Sequence, residues 1–381
     1  MSLIVDIKKR LGDFVLDVSF EAADSSETLA LLGASGSGKS VALKCIAGIE
    51  QPDEGRIVLN GRALFDSKGH VDVAPQLRRV GYLFQNYALF PTMTVEQNVL
   101  AGVRGGSRAE RLERARAQIR AFRLEGLERH HPAQLSGGQQ QRCALARIMA
   151  NGPELLLLDE PFSALDEYLR WQLELELTDT LKAFPGGVVF VTHNRDEVFR
   201  MCDRVCVLTG GKSGRTESVD ELFREPLTVS EATISGCKNV GAARPCGPRE
   251  LDCSDWGVRL ACARDVAGCD HVGVRAHFFR VLGGVGVSGE LGAPADAGAS
   301  GEADAPGVPA APETPATRGC NLIRCRVVRV IDNAFSVIVM CETPAGARLR
   351  VELDRDAWDL LGSPASVTLE VDPGDVMPLR S

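Results

Sequence analysis

The chain has 381 residues, 44% of them hydrophobic and 25% charged, with a formal net charge of −8. That is ordinary globular composition, long enough for two or more domains, each with its own core. The acidic balance argues against general affinity for nucleic acid or for anionic lipid surfaces.

Near the start, "LIVDIKK" and "FVLDVSFEA" alternate apolar with polar and predict antiparallel strands. "TLALLGA" then predicts a buried strand feeding Gly33, and "KSVALKCIAGI" a helix. Short apolar strands recur at "VGYLF", "LLLLD" and "VVFVT", separated by helical stretches, which indicates a parallel α/β sheet. Residues from about 86 to 150 read as an inserted helical subdomain, and the α/β part as a whole as 1–235. Within it, "RAERLERARAQIRAFRLEGLER" predicts a solvated helix laced by i,i+4 ion pairs. From Gly236 the texture changes to short strands with Gly, Pro and Asp turns, over 236–282 and 320–381, predicting a small all-β domain. Between these halves, 283–319 is Gly/Ala/Pro-rich and lacks aromatics, so it is expected to stay disordered. The fold expected is a parallel α/β domain with antiparallel and helical subdomains, followed by a small all-β domain.

The twelve cysteines form no C-x2-C pair, and the nearest, Cys202 with Cys206 and Cys320 with Cys325, meet no second pair at zinc-like spacing. They read as reduced thiols acting as small buried hydrophobes. Asp6, Lys8, Lys9 and Arg10 interrupt any apolar start, so no secretory leader is expected. No apolar run reaches the ~18–20 residues that span a bilayer, so any membrane path needs another chain. "HHP", His130 to Pro132, reads as a turn rather than a metal site, because no carboxylate or Cys lies at ligand spacing.

"GASGSGKS" lies between a strand and a helix, the context of a phosphate-binding loop. The backbone N–H groups of Gly33, Ser35, Gly36, Ser37 and Gly38 are expected to curl around phosphates, helped by the helix N-terminus. Lys39 would reach the β- and γ-phosphates, and the Ser40 hydroxyl would ligate Mg²⁺. "LLLLDEP" supplies the acidic half: Asp159 would hold Mg²⁺ and Glu160 would activate a water against the γ-phosphate. His193, ending "VVFVTH", would bond the γ-phosphate and hold the attacking water. Gln85, after "VGYLF", would ligate Mg²⁺ or water. All four groups sit at the carboxyl ends of strands, where ligands of parallel sheets gather.

A second Gly-rich stretch, "LSGGQQQR" from Leu135 to Arg142, carries no lysine. With it, the ordered set resembles the nucleotide-binding subunits of ATP-binding-cassette transporters. The P-loop, "LFQNYALFP", "LSGGQQQR", "LLLLDEP", "SALD" (Ser163 to Asp166) and "THNRDE" fall in that family's order across about 1–235. The resemblance implies ATP and Mg²⁺ as ligands and a head-to-tail pair of cassettes. In such a pair Ser136, Gly137, Gly138 and Gln139 of one copy grip the γ-phosphate held by the other, with Asp166 also at the nucleotide. One cassette per chain implies a homodimer with two equal sites. An adenine-stacking aromatic is poorly matched: Leu11-Gly12 stands where many relatives have an aromatic before glycine, and Phe14 reads equally as stacking or core.

A cassette followed by a small β domain resembles importer ATPases with a C-terminal OB-like (TOBE-type) domain. "GRIVLNGRALFDS", "RRVGYLFQNYALFPTMTVEQNV", "SGCKNV", "HVGVRAHFF" and "NLIRCRVVRVIDNAFSVIVM" are similar to the molybdate and sulfate ATPases. The resemblance implies uptake of an oxyanion, molybdate first, with sulfate, tungstate, polyamine, sugar or iron as alternatives. It implies permease subunits docked around residues 85–90, a periplasmic or lipid-anchored binding protein acting through them, and a peripheral position on the cytoplasmic face of the membrane. The Ser-Ala-Arg-Asn anion pattern of some molybdate relatives is absent. A soluble cassette ATPase of translation or repair fits less well, because neither a second cassette nor a long coiled-coil insertion is present.

Overall fold

A computed structural model describes residues 2–22, 27–163, 167–282 and 320–381. Asp166 and the 283–319 segment lie outside the described residues. The chain divides into two compact units, 1–224 and 225–381. The second unit thus begins upstream of the change in sequence texture at Gly236.

In the first unit β1 (Leu3–Leu11) and β2 (Phe14–Ala22) pair antiparallel, Leu3 opposite Ala22 and Leu11 opposite Phe14. Leu3, Val5 and Ile7 face the core while Ile4, Asp6 and Lys8 face out, the period of two that a half-buried strand requires. Every residue of β3 (Thr28–Gly33) is buried, and α1 (Lys39–Ala47) follows. Then come β4 (Glu54–Leu59), β5 (Arg62–Asp66), the two-residue β6 (Val71–Asp72) and β7 (Val80–Leu83). The helical insert holds α2 (Val95–Gly102), α3 (Arg108–Ala121) and α4 (Gly137–Met149). After it run β8 (Leu155–Asp159), α5 (Glu167–Ala183), β9 (Gly187–Thr192) and α6 (Arg195–Met201). The unit ends with β10 (Arg204–Thr209), β11 (Lys212–Ser218) and α7 (Val219–Arg224).

These strands form one sheet in the order β6-β5-β4-β1-β2-β11-β10-β3-β9-β8-β7. The run β10-β3-β9-β8-β7 is parallel. Its strands are continuous Leu/Val runs because helices cover both faces, unlike the alternating β1 and β2. Leu155 to Leu158 are wholly buried, each contributing about 1.5–3 kcal/mol by transfer from water.

Each helix of the insert begins with a capping box: Thr94 with Gln97, Ser107 with Glu110, Ser136 with Gln139. No i,i+4 ion pair closes on α3 among the described residues, although the backbone N–H of Ser107, helped by nearby Arg114, holds the Glu110 carboxyl below the usual range. Arg120 pairs with Glu113, Arg116 reaches Glu96 on α2, and Arg114 donates to the carbonyls of Arg104 and Gly105. Loop carbonyls and a neighbouring helix compete successfully for exposed guanidinium groups whose local pairs are worth only ~0.3–0.5 kcal/mol.

The second unit opens with α8 (Val229–Ile234), β12 (Asn239–Ala242), β13 (Arg244–Gly247), β14 (Glu250–Cys253) and β15 (Val258–Ala261). It continues through β16 (His271–Val274), β17 (Arg280–Leu282), β18 (Asn321–Asp332), β19 (Ser336–Glu342) and β20 (Arg348–Asp354). It closes with α9 (Arg355–Leu360), β21 (Ser366–Val371) and β22 (Met377–Leu379). Three antiparallel sheets, β12-β16-β22, β13-β14-β15 and β17-β21-β18-β19-β20, make it an all-β unit with two short helices. Trp256, Phe279 and Trp358 anchor its core. Asn239 locks β16 to β20: its amide donates to the Val274 and Arg350 carbonyls and accepts from the Arg350 N–H. All twelve cysteines are unpaired, and ten are buried, leaving Cys246 exposed and Cys320 half-buried. No helix among the described residues is long and apolar enough to cross a membrane.

Candidate functional site

The parallel strands end at one level, with Leu32 of β3 opposite Thr192 of β9, and Asp159 of β8 opposite Val191. Leu83 of β7 lies opposite Leu158. The loop after Gly33, Glu160, His193 and Gln85 therefore emerge from four neighbouring strands at the same edge.

The loop from Gly33 to Gly38 needs its glycines for two reasons. Gly36 and Gly38 have φ of 80° and 99°, the left-handed region that side chains resist. A Cβ on Gly33 would lie 2.5 Å from the Leu208 carbonyl. Ser35 and Gly36 are exposed at the loop's crest, and Ser37 is buried beneath. Lys39 is buried, and its Nζ donates to the carbonyls of Gly33 and Ala34, both at 2.8 Å. Burial lowers its pKa, opposed by the charges of Glu160 and Asp159. The lysine thus lies under the loop with both acidic residues close enough to feel its charge.

Asp159 is 94% removed from solvent, with 6% exposure, and both carboxylate oxygens are engaged. Oδ1 accepts from Ser40 Oγ at 2.7 Å and Oδ2 from the Tyr82 hydroxyl at 2.7 Å. Glu160 takes φ 45°, a strained conformation for a side chain that is not Gly, Asn or Asp. The strain is held in place by its N–H bonding the Val191 carbonyl and its own carbonyl accepting from Ser163. It aims the carboxylate across β9, where Glu160 Oε1 lies 3.2 Å from His193 Nδ1. The structure thus brings together Lys39, Ser40, Asp159, Glu160 and His193.

Gln85 does not join that cluster. It is exposed in the turn after β7 and makes no hydrogen bond among the described residues. The turn itself is tightly held: Tyr87 and Ala88 have φ of 60° and 43°, and Arg147 of α4 donates to both their carbonyls. Arg147 also sits over the Phe90 ring. Buried Asn98 fastens the far end of the turn, accepting from the Phe90 N–H and donating to the Phe90 carbonyl.

Ser136 is the N-cap of α4, its hydroxyl accepting from the Gln139 N–H. Gly138 is buried with Leu173 where its Cβ would stand, and Gly137 is partly exposed. Among the described residues no hydrogen bond or ion pair joins Ser136–Gln139 to the P-loop, Asp159, Glu160 or His193. Phe14 packs on the core and against Gly38 and Gly211, while Leu11 is 40% exposed. His131 caps a short turn, Pro132–Gln134. No cluster of His, Cys, Asp or Glu suited to a metal occurs among the described residues.

Sequence reasoning missed Tyr82, although it stands in the quoted "VGYLF". It also missed buried Arg78, which caps α1 by donating to the Cys45 and Ile46 carbonyls. A helix end needing partners for its carbonyls was the only available signal for Arg78.

The family profile described as ABC transporter matches residues 16–163. The chain is 41% identical over 245 residues to the sulfate/thiosulfate import ATP-binding protein of Synechocystis sp., covering 63% of this chain and 67% of that one. It is 45% identical over 219 residues to the spermidine/putrescine import ATP-binding protein of Nitratidesulfovibrio vulgaris, covering 57% and 58%. Against the molybdenum import ATP-binding protein of Paramagnetospirillum magneticum it is 36% identical over 224 residues, covering 59% and 61%. The chain therefore spans less than two thirds of the length of the last two.

Proposed function

Because the chain belongs to the ABC transporter ATP-binding proteins of import type, we propose that it hydrolyses ATP to drive uptake of an oxyanion through separate permease subunits. The observation that carries the hydrolytic reading is the meeting of Lys39, Asp159, Glu160 and His193 at one sheet edge. Glu160 accepts a proton from the water that attacks the γ-phosphorus, as the bond to the β-phosphate oxygen breaks and ADP leaves. His193, 3.2 Å from Glu160, holds that water in line. The loop N–H groups from Gly33 to Gly38 and the Lys39 ammonium cradle the phosphates.

Ser40 Oγ and Asp159 Oδ1 are hard oxygen donors 2.7 Å apart and would hold Mg²⁺; Gln85 stands apart from them in this structure and would have to swing in to join as a ligand. When bound, the ion neutralises charge on the β- and γ-phosphates. In this reading Ser136, Gly137, Gly138 and Gln139, at the N-terminus of α4, serve a second copy's nucleotide. Asp166 belongs to the same reading. The reading includes a homodimer, a binding protein acting through the permease, and a peripheral position on the cytoplasmic face of the membrane.

Molybdate is the first cargo to test, supported by the C-terminal sequence fragments and the molybdenum relative. Sulfate is the second reading, favoured by the higher identity of the sulfate/thiosulfate relative. Glu160→Gln should keep ATP affinity, lower turnover ~10²–10⁴-fold and accumulate ATP-bound dimer. Unchanged turnover would remove Glu160 from the mechanism. Calorimetric titration with molybdate, tungstate and sulfate, beside ATP, tests oxyanion sensing by the second unit. Silence toward all three, with ATP binding intact, would end that reading and leave the ATPase standing.

A further inference from the structure

His193 is 60% exposed, yet its backbone is pinned from both sides by one buried side chain, Glu197 of α6. The Thr192 hydroxyl donates to Glu197 Oε2 at 2.6 Å. The Asn194 side-chain amide donates to Glu197 Oε1 at 3.3 Å. The ring closes on itself, because the Asn194 N–H donates to Thr192 Oγ1 at 3.0 Å. Asn194 Oδ1 in turn accepts from the Asp196 N–H and caps α6. One carboxylate therefore fixes the residues immediately before and after the imidazole, and ties them to the helix that follows.

The setting makes this pin adjustable. Glu197 is 4% exposed, and burial raises its pKa, with the Thr192 hydrogen bond opposing. Glu174 of α5 adds to the rise, while Arg170 of α5 and His193 favour the charged form. Glu174 is itself clamped by Arg200, at 2.9 Å and 2.6 Å. As an anion Glu197 accepts from both donors. As a neutral acid it must redirect one of them.

We propose that Glu197 is the positioning residue of the His193 switch, its carboxylate holding Thr192 and Asn194 so that the imidazole stays in register with Glu160. The claim rests on the hydrolytic reading of His193. A side chain that touches no reacting atom changes catalysis only through the geometry of one that does. Misplacement of such a group by about 1 Å costs up to ~10²-fold in rate.

A double-mutant cycle on ATP turnover tests it, using His193→Ala and Glu197→Ala in the full chain, with the His193 imidazole resonances followed by NMR. We expect Glu197→Ala to lower kcat roughly 10- to 100-fold while KM for ATP stays within about three-fold. Added to His193→Ala, it should cost less than about two-fold more, because the two act as one unit. The imidazole resonances should move in Glu197→Ala, and Glu197→Gln, which retains an acceptor for Thr192, should recover part of kcat. Additive losses in the cycle, or unmoved imidazole resonances, would overturn the inference. His193→Ala with normal turnover would instead overturn the hydrolytic reading. Should Glu197→Ala fail to fold, the same cycle with the near-isosteric Glu197→Gln decides between these outcomes.

Discussion

Replacing Tyr82 with Phe removes a single oxygen from the site and keeps the ring. That ring packs against the main core and lies 4.4 Å from Phe84. Burial first, then the Asp159 charge, pushes the Tyr82 hydroxyl pKa well up, so it remains a donor at any working pH. Its acceptor, Asp159 Oδ2, belongs to a residue only 6% exposed and cannot fully recover water once the donor is gone. A hydrogen bond to a charged group is worth ~1.5–3 kcal/mol, and an orphaned buried acceptor costs a similar amount. We expect Tyr82→Phe to cost about 2 kcal/mol, or about 4–8 °C in Tm for a unit of this size. Thermal unfolding of Tyr82→Phe, Asp159→Asn and the double variant measures it. The coupling between the two sites should fall at ~0.5–3 kcal/mol. Additive effects within about 0.3 kcal/mol would mean that the hydroxyl and the carboxylate do not depend on one another, and the argument fails.

Four further outcomes follow from the geometry. Ser136→Arg puts a long cation at the N-terminus of α4 and should abolish ATP-dependent pairing in a Glu160→Gln background while leaving ATP binding intact, read by light scattering. Because the folded pKa of Glu197 is raised from 4.5, its stabilising contribution is present below that value and lost as pH rises through the folded pKa. Unfolding midpoints across that window should therefore fall with pH more steeply in the native protein than in Glu197→Gln. A thiol reagent should modify Cys246 first, because burial holds thiols such as Cys45 and Cys206 inaccessible and pushes both up to about 12. Cys246→Ser should erase that fast phase. Arg147→Ala strips two donors from the turn after β7 and should speed hydrogen exchange across residues 85–90 while leaving the amides of β8 protected.

The elements legible in the sequence are those whose signal is local. "TLALLGA", "LLLLD" and "VVFVT" are apolar for their whole length because both faces are covered. The loop after Gly33 needs positive φ that glycine supplies at fixed offsets. Strand-end chemistry follows from the same two facts. Partners distant in the chain are what the sequence conceals. Nothing near Asp159 announces that a tyrosine 77 positions earlier satisfies its second oxygen. The charges of α3 invite i,i+4 pairing, yet loop carbonyls and α2 take them, because such weak pairs yield to any better acceptor nearby. Gln85 is the instructive case: its position after β7 is legible, but the approach of its side chain to the acidic cluster is not built into the turn.

The turn holding Gln85 is where the helical insert meets the sheet. The Pro161 carbonyl, one residue beyond Glu160, accepts from the Tyr87 hydroxyl at 3.4 Å and from Gln141 Nε2 at 3.3 Å. Gln141 and Arg147 belong to the same helix, α4, which opens at Ser136. One helix therefore grips both the turn after β7, through Arg147, and the turn after β8, through Gln141. The β8 side is backed by Leu155 to Leu158, wholly buried between neighbouring strands. On the β7 side Tyr87 is buried and Ala88 exposed, both at positive φ, and Arg147 holds both their carbonyls. Both turns are thus anchored on α4 through buried or charged side chains, so a substitution at either Gln141 or Arg147 should be felt at the strand end it grips and not only along the helix.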